Sequence, residues 1–292
     1  MPGLVYAARA AVSQYTLATE TYPLDLVSGA TGAWALRKLK AAYTGNAIKV
    51  RRASDNATQD IAFANFYLDF VAEAAFRGGS STFADTWYDQ TGNSRDILQA
   101  TAGTQPGLFA SGTPFLDIGN YPTLDWPTTA QMETVGNASN LITTTAGTVF
   151  AVVLADTTTG TTAPNGRAAW GQSGGNAAVV FQNGVKAAAF TYSGAYNTAT
   201  ATGLSTATAY VVAWRLGAGN IEIFVNSGTA AQTTASGTIT SLASPFRVGA
   251  CGGSSPWDGR IAEVICYNTA LSNGDLATVG AAMASPYGIT WT

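Results

Sequence analysis

Short apolar stretches separated by turn residues run through the second half of the chain. From Thr148 onward these stretches are rich in Val, Ile, Ala and aromatic residues, and Gly, Asn or Ser stands between them. Such spacing is typical of antiparallel all-β proteins and predicts a two-sheet jelly-roll sandwich. The predicted strands cover residues 149–154, 177–182, 187–192, 210–216, 221–226, 246–250 and 260–267.

The first third of the chain follows a different pattern. The apolar positions within residues 34–43 fall near one side of a short helix, and those within residues 66–76 predict a second helix that Gly78 and Gly79 end. A strand is predicted at residues 48–53, between the two helices. We expect these short helices to be additions to the sandwich.

The chain is expected to contain an arm and one domain. Residues 1–28 mix short apolar steps with Thr, Ser and Pro and show no sustained period, so we expect an N-terminal arm or attachment segment. Residues 29–292 are expected to form a single domain. Near its end, Ser272 and Asp275 have the spacing of a capping box, which predicts a final helix.

The charged residues argue against two classes of partner. The chain has 14 Lys and Arg against 17 Asp and Glu, a net charge of −3. No basic block is longer than a pair, so the positive surface that follows a nucleic acid backbone is missing. No apolar run approaches the roughly 20 residues that cross a bilayer. Arg9, Ser13 and Gln14 interrupt the first residues, so we expect no secretory signal and no membrane insertion.

The cysteine and histidine content limits metal and redox chemistry. The chain has no histidine, which excludes imidazole metal sites and histidine-based catalytic triads. Cys251 and Cys266 flank a predicted hairpin out of register, so we expect two buried thiols and no disulfide. We expect no cofactor. Calcium stays open as an alternative, although no loop has the alternating Asp ligands of calcium sites.

Five segments resemble known families. Residues 87–93 (WYDQTGN) and 51–56 (RRASDN) resemble the catalytic domain of alpha-L-arabinofuranosidase B, as found in bacteriophage structural proteins. Residues 210–214, 221–226 and 259–267 are similar to concanavalin A-like and laminin G-like modules. The resemblance implies a concanavalin A-like sandwich. In the arabinofuranosidase family this scaffold cleaves arabinose side chains with two carboxylates.

The family's two carboxylates have no counterpart in this chain. Retaining glycosidases need a nucleophile and a general acid about 5 to 5.5 Å apart. By the resemblance, Ala177 stands where the family has its nucleophilic glutamate, and Ser254 stands where it has its acid. We therefore expect no catalytic residues. The alternative catalytic pair is Glu222 with Glu263.

Other notable side chains have structural interpretations. Glu263 faces inward by strand parity and is expected to be a buried glutamate with a partner. Asp258 precedes Gly259 and is expected to accept hydrogen bonds in a tight turn. The turn-forming composition of residues 87–93 likewise favours a structural role over a sugar contact.

Glycan binding needs an aromatic face with amide or hydroxyl groups around it. The loops that match the family's active site offer this combination. The alternative for each aromatic residue is a place in the core or in a protein contact. The candidate carbohydrate-binding residues are Trp170, Gln172, Asn176, Tyr192, Tyr196, Trp257 and Asp258.

Three functions fit these observations. The favoured interpretation is a non-catalytic bacteriophage virion protein, either a head decoration or a tail component, that presents a lectin-like domain to host-surface glycans. Residues 1–28 would then bind other virion proteins, the protein would reside in the virion, and a homo-oligomer stays open. The alternatives are a glycoside hydrolase that acts on arabinose-containing polysaccharide and a bacterial surface adhesin module.

Overall fold

The computed structural model describes residues 20–115, 118–119, 121–235, 238–252 and 255–292. Ser254 and residues 1–19, which form most of the predicted arm, lie outside the described residues. The described end of that segment is packed. Helix α1 (Pro23–Leu26) buries Leu24 in the same apolar cluster as residues of the C-terminal helix.

The regular elements are mostly short strands. The other helices are α2 (Phe70–Arg77) and α3 (Asn273–Ala284). In chain order the strands are β1 (Ala30–Ala35), β2 (Ile48–Arg52), β3 (Thr58–Ile61), β4 (Phe63–Ala64), β5 (Tyr67–Leu68), β6 (Thr82–Trp87), β7 (Ile97–Leu98), β8 (Gly107–Ala110), β9 (Thr113–Pro114), β10 (Leu124–Trp126), β11 (Met132–Asn137), β12 (Gly147–Ala155), β13 (Arg167–Gln172), β14 (Ala177–Gln182), β15 (Lys186–Tyr192), β16 (Tyr196–Ala201), β17 (Ala209–Gly217), β18 (Asn220–Val225), β19 (Gln232–Ala235), β20 (Pro245–Val248), β21 (Ser255–Pro256) and β22 (Gly259–Tyr267).

The strands form one large antiparallel sheet that curls almost closed, and β4 and β5 form a separate hairpin. One arm of the sheet runs β3–β2–β6–β7–β11–β20–β13–β14–β15–β16. The other arm runs β19–β18–β17–β12–β22–β1. Strand β8 pairs with β6 and with β10, and β10 pairs with β22, so the two arms are continuous. The all-β prediction is confirmed.

Strand β12 lies between β17 and β22 and is buried along its whole length. A strand covered on both faces needs apolar residues at nearly every position, which explains the run GTVFAVVLA. The strands predicted in the second half of the chain are all present, with ends that differ by a few residues. Strand ends are the least certain part of a sequence prediction because pairing, not composition, decides them.

The helix predicted at residues 34–43 is wrong. Those residues begin in β1, where Trp34 lies opposite Val264 of β22, and then continue as turns. Residues 31–37 are all buried, so apolar side chains stand at almost every position. A helical spacing can be selected from such a run, and the pairing with β22 overrides it.

The other two predicted helices are present. The helix predicted at residues 66–76 is α2, which Asp69 caps at its start and Gly78 ends in the left-handed conformation with φ 59°. At α3, the Ser272 hydroxyl accepts the Asp275 N–H at 3.1 Å and donates to the Asp275 carboxylate at 2.8 Å. Ser272 is the N-cap that the predicted capping box requires, and the Asp275 carboxylate bonds the Ser272 hydroxyl. Among the described helices, none is long and apolar enough to span a membrane.

Cys251 and Cys266, both within the described residues, are buried and form no disulfide. Burial raises the pKa of the Cys266 thiol well above its ordinary value. The prediction of two buried thiols is confirmed.

A buried ion pair joins the N-terminal segment to the middle of the sheet. Both carboxylate oxygens of Glu263 accept hydrogen bonds from Arg37, one from Nε and one from Nη2 at 3.0 Å. The same guanidinium donates to the carbonyl oxygens of Thr21 at 2.8 Å and Ala282 at 3.3 Å. Glu263 is fully buried. The prediction of an inward-facing glutamate with a partner is confirmed.

Replacing Glu263 with alanine should lower the free energy of unfolding by about 3–5 kcal/mol, because it leaves the Arg37 charge buried without its carboxylate. The matched control is Glu133→Ala, which removes the carboxylate from a pair with Arg247 whose side chains are 25% and 38% exposed. That change should cost at most about 1 kcal/mol. Urea denaturation followed by tryptophan fluorescence measures both values. Equal losses in the two variants would contradict a special role for the buried pair.

Candidate functional site

The two segments that match the family's active site do come together. The Gly252 N–H donates to the Gln172 carbonyl oxygen at 3.4 Å, and a Cβ at Gly175 would lie 2.7 Å from the Gly252 oxygen. The family's nucleophile position is occupied by Ala177, whose methyl group is fully buried. Ser254, at the position of the acid, lies outside the described residues. The family's nucleophilic carboxylate is therefore missing at position 177.

Two predicted sugar-binding aromatics lie in the core. Trp170 stacks on Phe246 with ring centroids 5.5 Å apart, and Trp257 packs edge-to-face on Phe181 at 5.1 Å. Both indoles are at most 1% exposed. A bulge between Ala168 and Trp170 shifts the register of β13 and turns Trp170 inward. Neither ring is available to a sugar at the surface.

Gln172 and Asn176 brace the turn between β13 and β14. The Asn176 N–H donates to Gln172 Oε1 at 3.1 Å, and Asn176 Nδ2 donates to the Ser241 carbonyl oxygen at 3.0 Å. Tyr192 and Tyr196 lie at the end of the β15–β16 hairpin with ring centroids 5.0 Å apart. Tyr196 is 41% exposed. These two tyrosines are the predicted aromatics that reach the surface.

Asp258 is held by side chains from neighbouring segments. Its carboxylate accepts the Thr157 hydroxyl and lies 3.9 Å from Nη2 of Arg167. Its carbonyl oxygen accepts the Asp156 N–H at 2.8 Å. These contacts fix the start of β22, so the Asp258 carboxylate has a structural role.

The alternative catalytic pair cannot act together. Glu263 lies opposite Val152 of β12, whereas Glu222 lies opposite Arg215 of β17, which in turn lies opposite Thr148. The two glutamates are thus separated by three strand spacings and by four residues along the strands. At roughly 4.8 Å per strand and 3.3 Å per residue, they stand more than about 15 Å apart. Glycosidase carboxyls need a separation below about 10 Å.

An open polar cleft lies elsewhere, where β6 and β11 end and β7 begins. Its volume is about 550 Å³. Lys49 and Thr86 lie opposite each other in the β2–β6 ladder and line it from below. One wall is the turn of residues 88–96, and the other is the segment 134–141. Three segments that are distant in sequence therefore form this cleft.

Buried hydrogen bonds fix the first wall of the cleft. Asp89 accepts the N–H groups of Ala33 and Thr91 at 3.0 Å each. Gln90 donates to the carbonyl oxygens of Ala35 and Arg37 and accepts the Leu39 N–H at 2.8 Å. Both side chains are at most 4% exposed. The structural role predicted for the 87–93 motif holds for these two residues.

Tyr88 and Asp96 belong to the same turn but face the cleft. The Tyr88 hydroxyl donates to Asp60 Oδ1 at 2.6 Å, and Asp60 stands opposite Lys49 in the β2–β3 ladder. Asp96 Oδ1 accepts the Asp89 N–H at 2.9 Å. Burial is the main cause that raises the pKa of the Asp96 carboxyl above its ordinary value. A half-buried carboxyl group with a raised pKa thus lines an open cleft.

Sequence reasoning missed this site because it treated the 87–93 motif as one unit. Side chains alternate along a strand, so Trp87 points into the core and the next residue, Tyr88, points out. That alternation was the available signal. The contributions of Lys49 and of residues 134–141 depend on strand pairing and had no local signal.

No family model matches the chain, and no curated protein matches it. Among solved structures it is similar to a GH54 a-l-arabinofuranosidase soaked with a cyclic sulfate inhibitor, with a TM-score of 0.69 and 15% identity over 91% of this chain and 65% of that chain. A mutant GH54 a-l-arabinofuranosidase soaked with 4-nitrophenyl a-l-arabinofuranoside gives 0.71 and 16% over the same shares. An arabinofuranosidase complexed with arabinofuranosyl-alpha-1,2-xylobiose gives 0.67 and 16%, again over 91% and 65%.

These similarities support the arabinofuranosidase resemblance at the level of the fold. The chain spans 65% of the length of each of these neighbours. The prediction of a non-catalytic bacteriophage virion protein is wrong, because the structures that share the fold across 91% of the chain are glycoside hydrolases.

Replacing Gln90 with leucine should lower the free energy of unfolding by about 2–4 kcal/mol, because the buried Leu39 N–H and two carbonyl oxygens lose their partner. The control is Gln59→Leu on β3, where the side chain is exposed. It should change stability by no more than about 0.5 kcal/mol. Urea denaturation measures both. A loss below about 0.5 kcal/mol for Gln90→Leu would show that the turn does not depend on this amide.

Proposed function

We propose that the chain is a glycoside hydrolase that acts on arabinose-containing polysaccharide and holds the saccharide in the cleft beside Tyr88. A finer description of its fold, a concanavalin A-like two-sheet jelly roll, is part of the same proposal. The observation that carries the function is the half-buried Asp96 carboxyl in the same cleft as Tyr88, whose hydroxyl donates to the exposed carboxylate of Asp60 on β3. The shared fold with arabinofuranosidases supports the substrate class.

The position of the chemistry follows from what the side chains can do. Glycoside hydrolysis needs one carboxyl that gives a proton and one carboxylate that accepts a proton or attacks. Ala177, in the matched segment, can do neither. Asp96 and Tyr88 both line the cleft. Burial, followed by the hydrogen bond to Asp60, raises the pKa of the Tyr88 hydroxyl. The proposal therefore places the reaction in the cleft.

Each carboxyl has a distinct role. Asp96 gives its proton to the glycosidic oxygen as the bond between that oxygen and the anomeric carbon breaks. Asp60, oriented by the Tyr88 hydroxyl, takes a proton from the water whose oxygen bonds to the anomeric carbon. Because water attacks directly, the proposal assigns inversion at that carbon.

The rest of the cleft suits a sugar ring. Asn93, Asn137 and Asn140 supply amide donors and acceptors for hydroxyl groups. Val135, with 84% of its side chain exposed, and the ring of Tyr88 offer apolar surface for the face of the ring. An exposed valine at the lip of a polar cleft gains contacts when a ligand covers it.

The test is release of arabinose from an aryl arabinofuranoside and from arabinoxylan. Asp96→Asn should lower kcat by about 100-fold or more, because an amide cannot give a proton. It keeps the oxygen that accepts the Asp89 N–H, so the fold should persist by circular dichroism. Glu222→Gln on β18 is the matched control and should leave the rate unchanged. Absence of sugar release by the unaltered chain on both substrates would overturn the proposal.

The same assay gives a pH dependence with a defined sign. Asp96 acts in its protonated form, so kcat should fall as pH rises through its pKa. Burial raises that pKa, and the fall should begin at a higher pH than an ordinary aspartate gives. Asp60 acts as the base in its ionised form, so the rate should first rise with pH and then fall. A profile without the falling limb would contradict the role of Asp96.

A further inference from the structure

Two cationic side chains line the cleft without a carboxylate partner. Among the described residues, the Lys49 ammonium forms no ion pair, and neither does the Arg95 guanidinium. Arg95 Nη1 donates to the Thr31 carbonyl oxygen, a neutral acceptor, at 2.7 Å. Both residues line the cleft that holds Tyr88 and Asp96.

Seven of the nine described arginines pair with a carboxylate. The exceptions are Arg95 and Arg51, and Arg51 bonds neutral groups outside the cleft. Arg37 pairs with Glu263, Arg215 pairs with Glu222 at 2.6 Å, and Arg77 pairs with Glu73 at 3.0 Å. The chain as a whole carries 14 basic and 17 acidic residues, so partners of negative charge are not scarce. None of the described lysines forms an ion pair, so the lack of a partner does not distinguish Lys49. The observation that favours a negative ligand is that Lys49 and Arg95 line the same cleft.

The acidic residues around the cleft are engaged by neutral donors. Asp60 accepts the Tyr88 hydroxyl, and Asp96 accepts a backbone N–H. Asp85 accepts the Thr86 hydroxyl at 3.0 Å and Gln105 Nε2 at 3.4 Å. None of these carboxylates forms an ion pair with the two cations in the described part of the chain. The positive groups are left to face the cleft.

We propose that the cleft recognises a carboxylate carried by the saccharide, so that its substrate class is polysaccharide with uronic acid units beside the arabinose. This inference rests on the proposed function for the presence of a saccharide in the cleft. The planar guanidinium of Arg95 and the mobile ammonium of Lys49 both suit a carboxylate. The amides of Asn93 and Asn137 would bond the ring hydroxyls.

The test compares trigalacturonic acid with its methyl ester, which lacks the negative charges and carries methyl groups in their place, by isothermal titration at low ionic strength. The acid should bind about fivefold more tightly than the ester, as expected for two partly exposed ion pairs. Lys49→Met keeps the apolar stem and removes the charge, and it should reduce this preference by about half or more. Added salt should reduce it as well.

The matched control is Lys186→Met. The Lys186 ammonium donates to the Thr161 carbonyl oxygen at 3.0 Å, and the residue does not line the cleft. This variant should keep the full preference for the acid. Equal affinity for acid and ester in the unaltered chain would overturn the inference, and so would an equal effect of the two lysine variants.

The outcome is separable from that of the hydrolysis assay. Preference for the acid together with no arabinose release would sustain the carboxylate site and overturn the proposed hydrolysis. Arabinose release together with equal affinity for acid and ester would sustain the proposed function and overturn this inference.

Discussion

The buried turn of Asp89 and Gln90 is the constraint on which the candidate site depends. A loop that enters the protein interior must satisfy its own backbone groups and those of its neighbours, because water cannot do so there. Gln90 satisfies three backbone groups at and beyond the end of β1, and Asp89 satisfies N–H groups both in β1 and in its own turn. With the turn fixed in this way, the residues that follow in it, including Arg95 and Asp96, line the cleft. Their side chains are not needed for the bonds that Asp89 and Gln90 make.

The fold and the chemistry separate in this protein. Its fold is shared with arabinofuranosidases. The two segments that match the family's active site in sequence also lie side by side, as the resemblance implies. Yet the methyl group of Ala177 ends any nucleophilic role at that position. Function resides in particular side chains and not in the arrangement of strands. Of the two carboxyls in the proposed reaction, Asp96 lies on the turn that Asp89 and Gln90 hold, and Asp60 lies on β3, bonded to Tyr88 of that turn.

Much of the fold could be predicted, because long apolar runs such as that of β12 leave few alternatives. The capping residues of α3 were likewise visible in the sequence. Strand β1 could not be recognised in the sequence. Nearly every one of its residues is buried and most are apolar, and such a run also fits the spacing of a helix. Trp170 could not be placed, because a one-residue bulge reverses which face a strand residue occupies. The cleft was out of reach for a different reason: Lys49 joins Tyr88 only through the pairing of β2 with β6.

The central claim is that a saccharide binds at the cleft and not at the segments matched to the family's active site. Backbone amide shifts in a two-dimensional NMR titration with an arabino-oligosaccharide locate the ligand directly. The account predicts that the largest shifts fall on residues 88–96 and 134–141. Shifts concentrated at Asn176, Tyr192 and Tyr196, with the cleft unchanged, would contradict it.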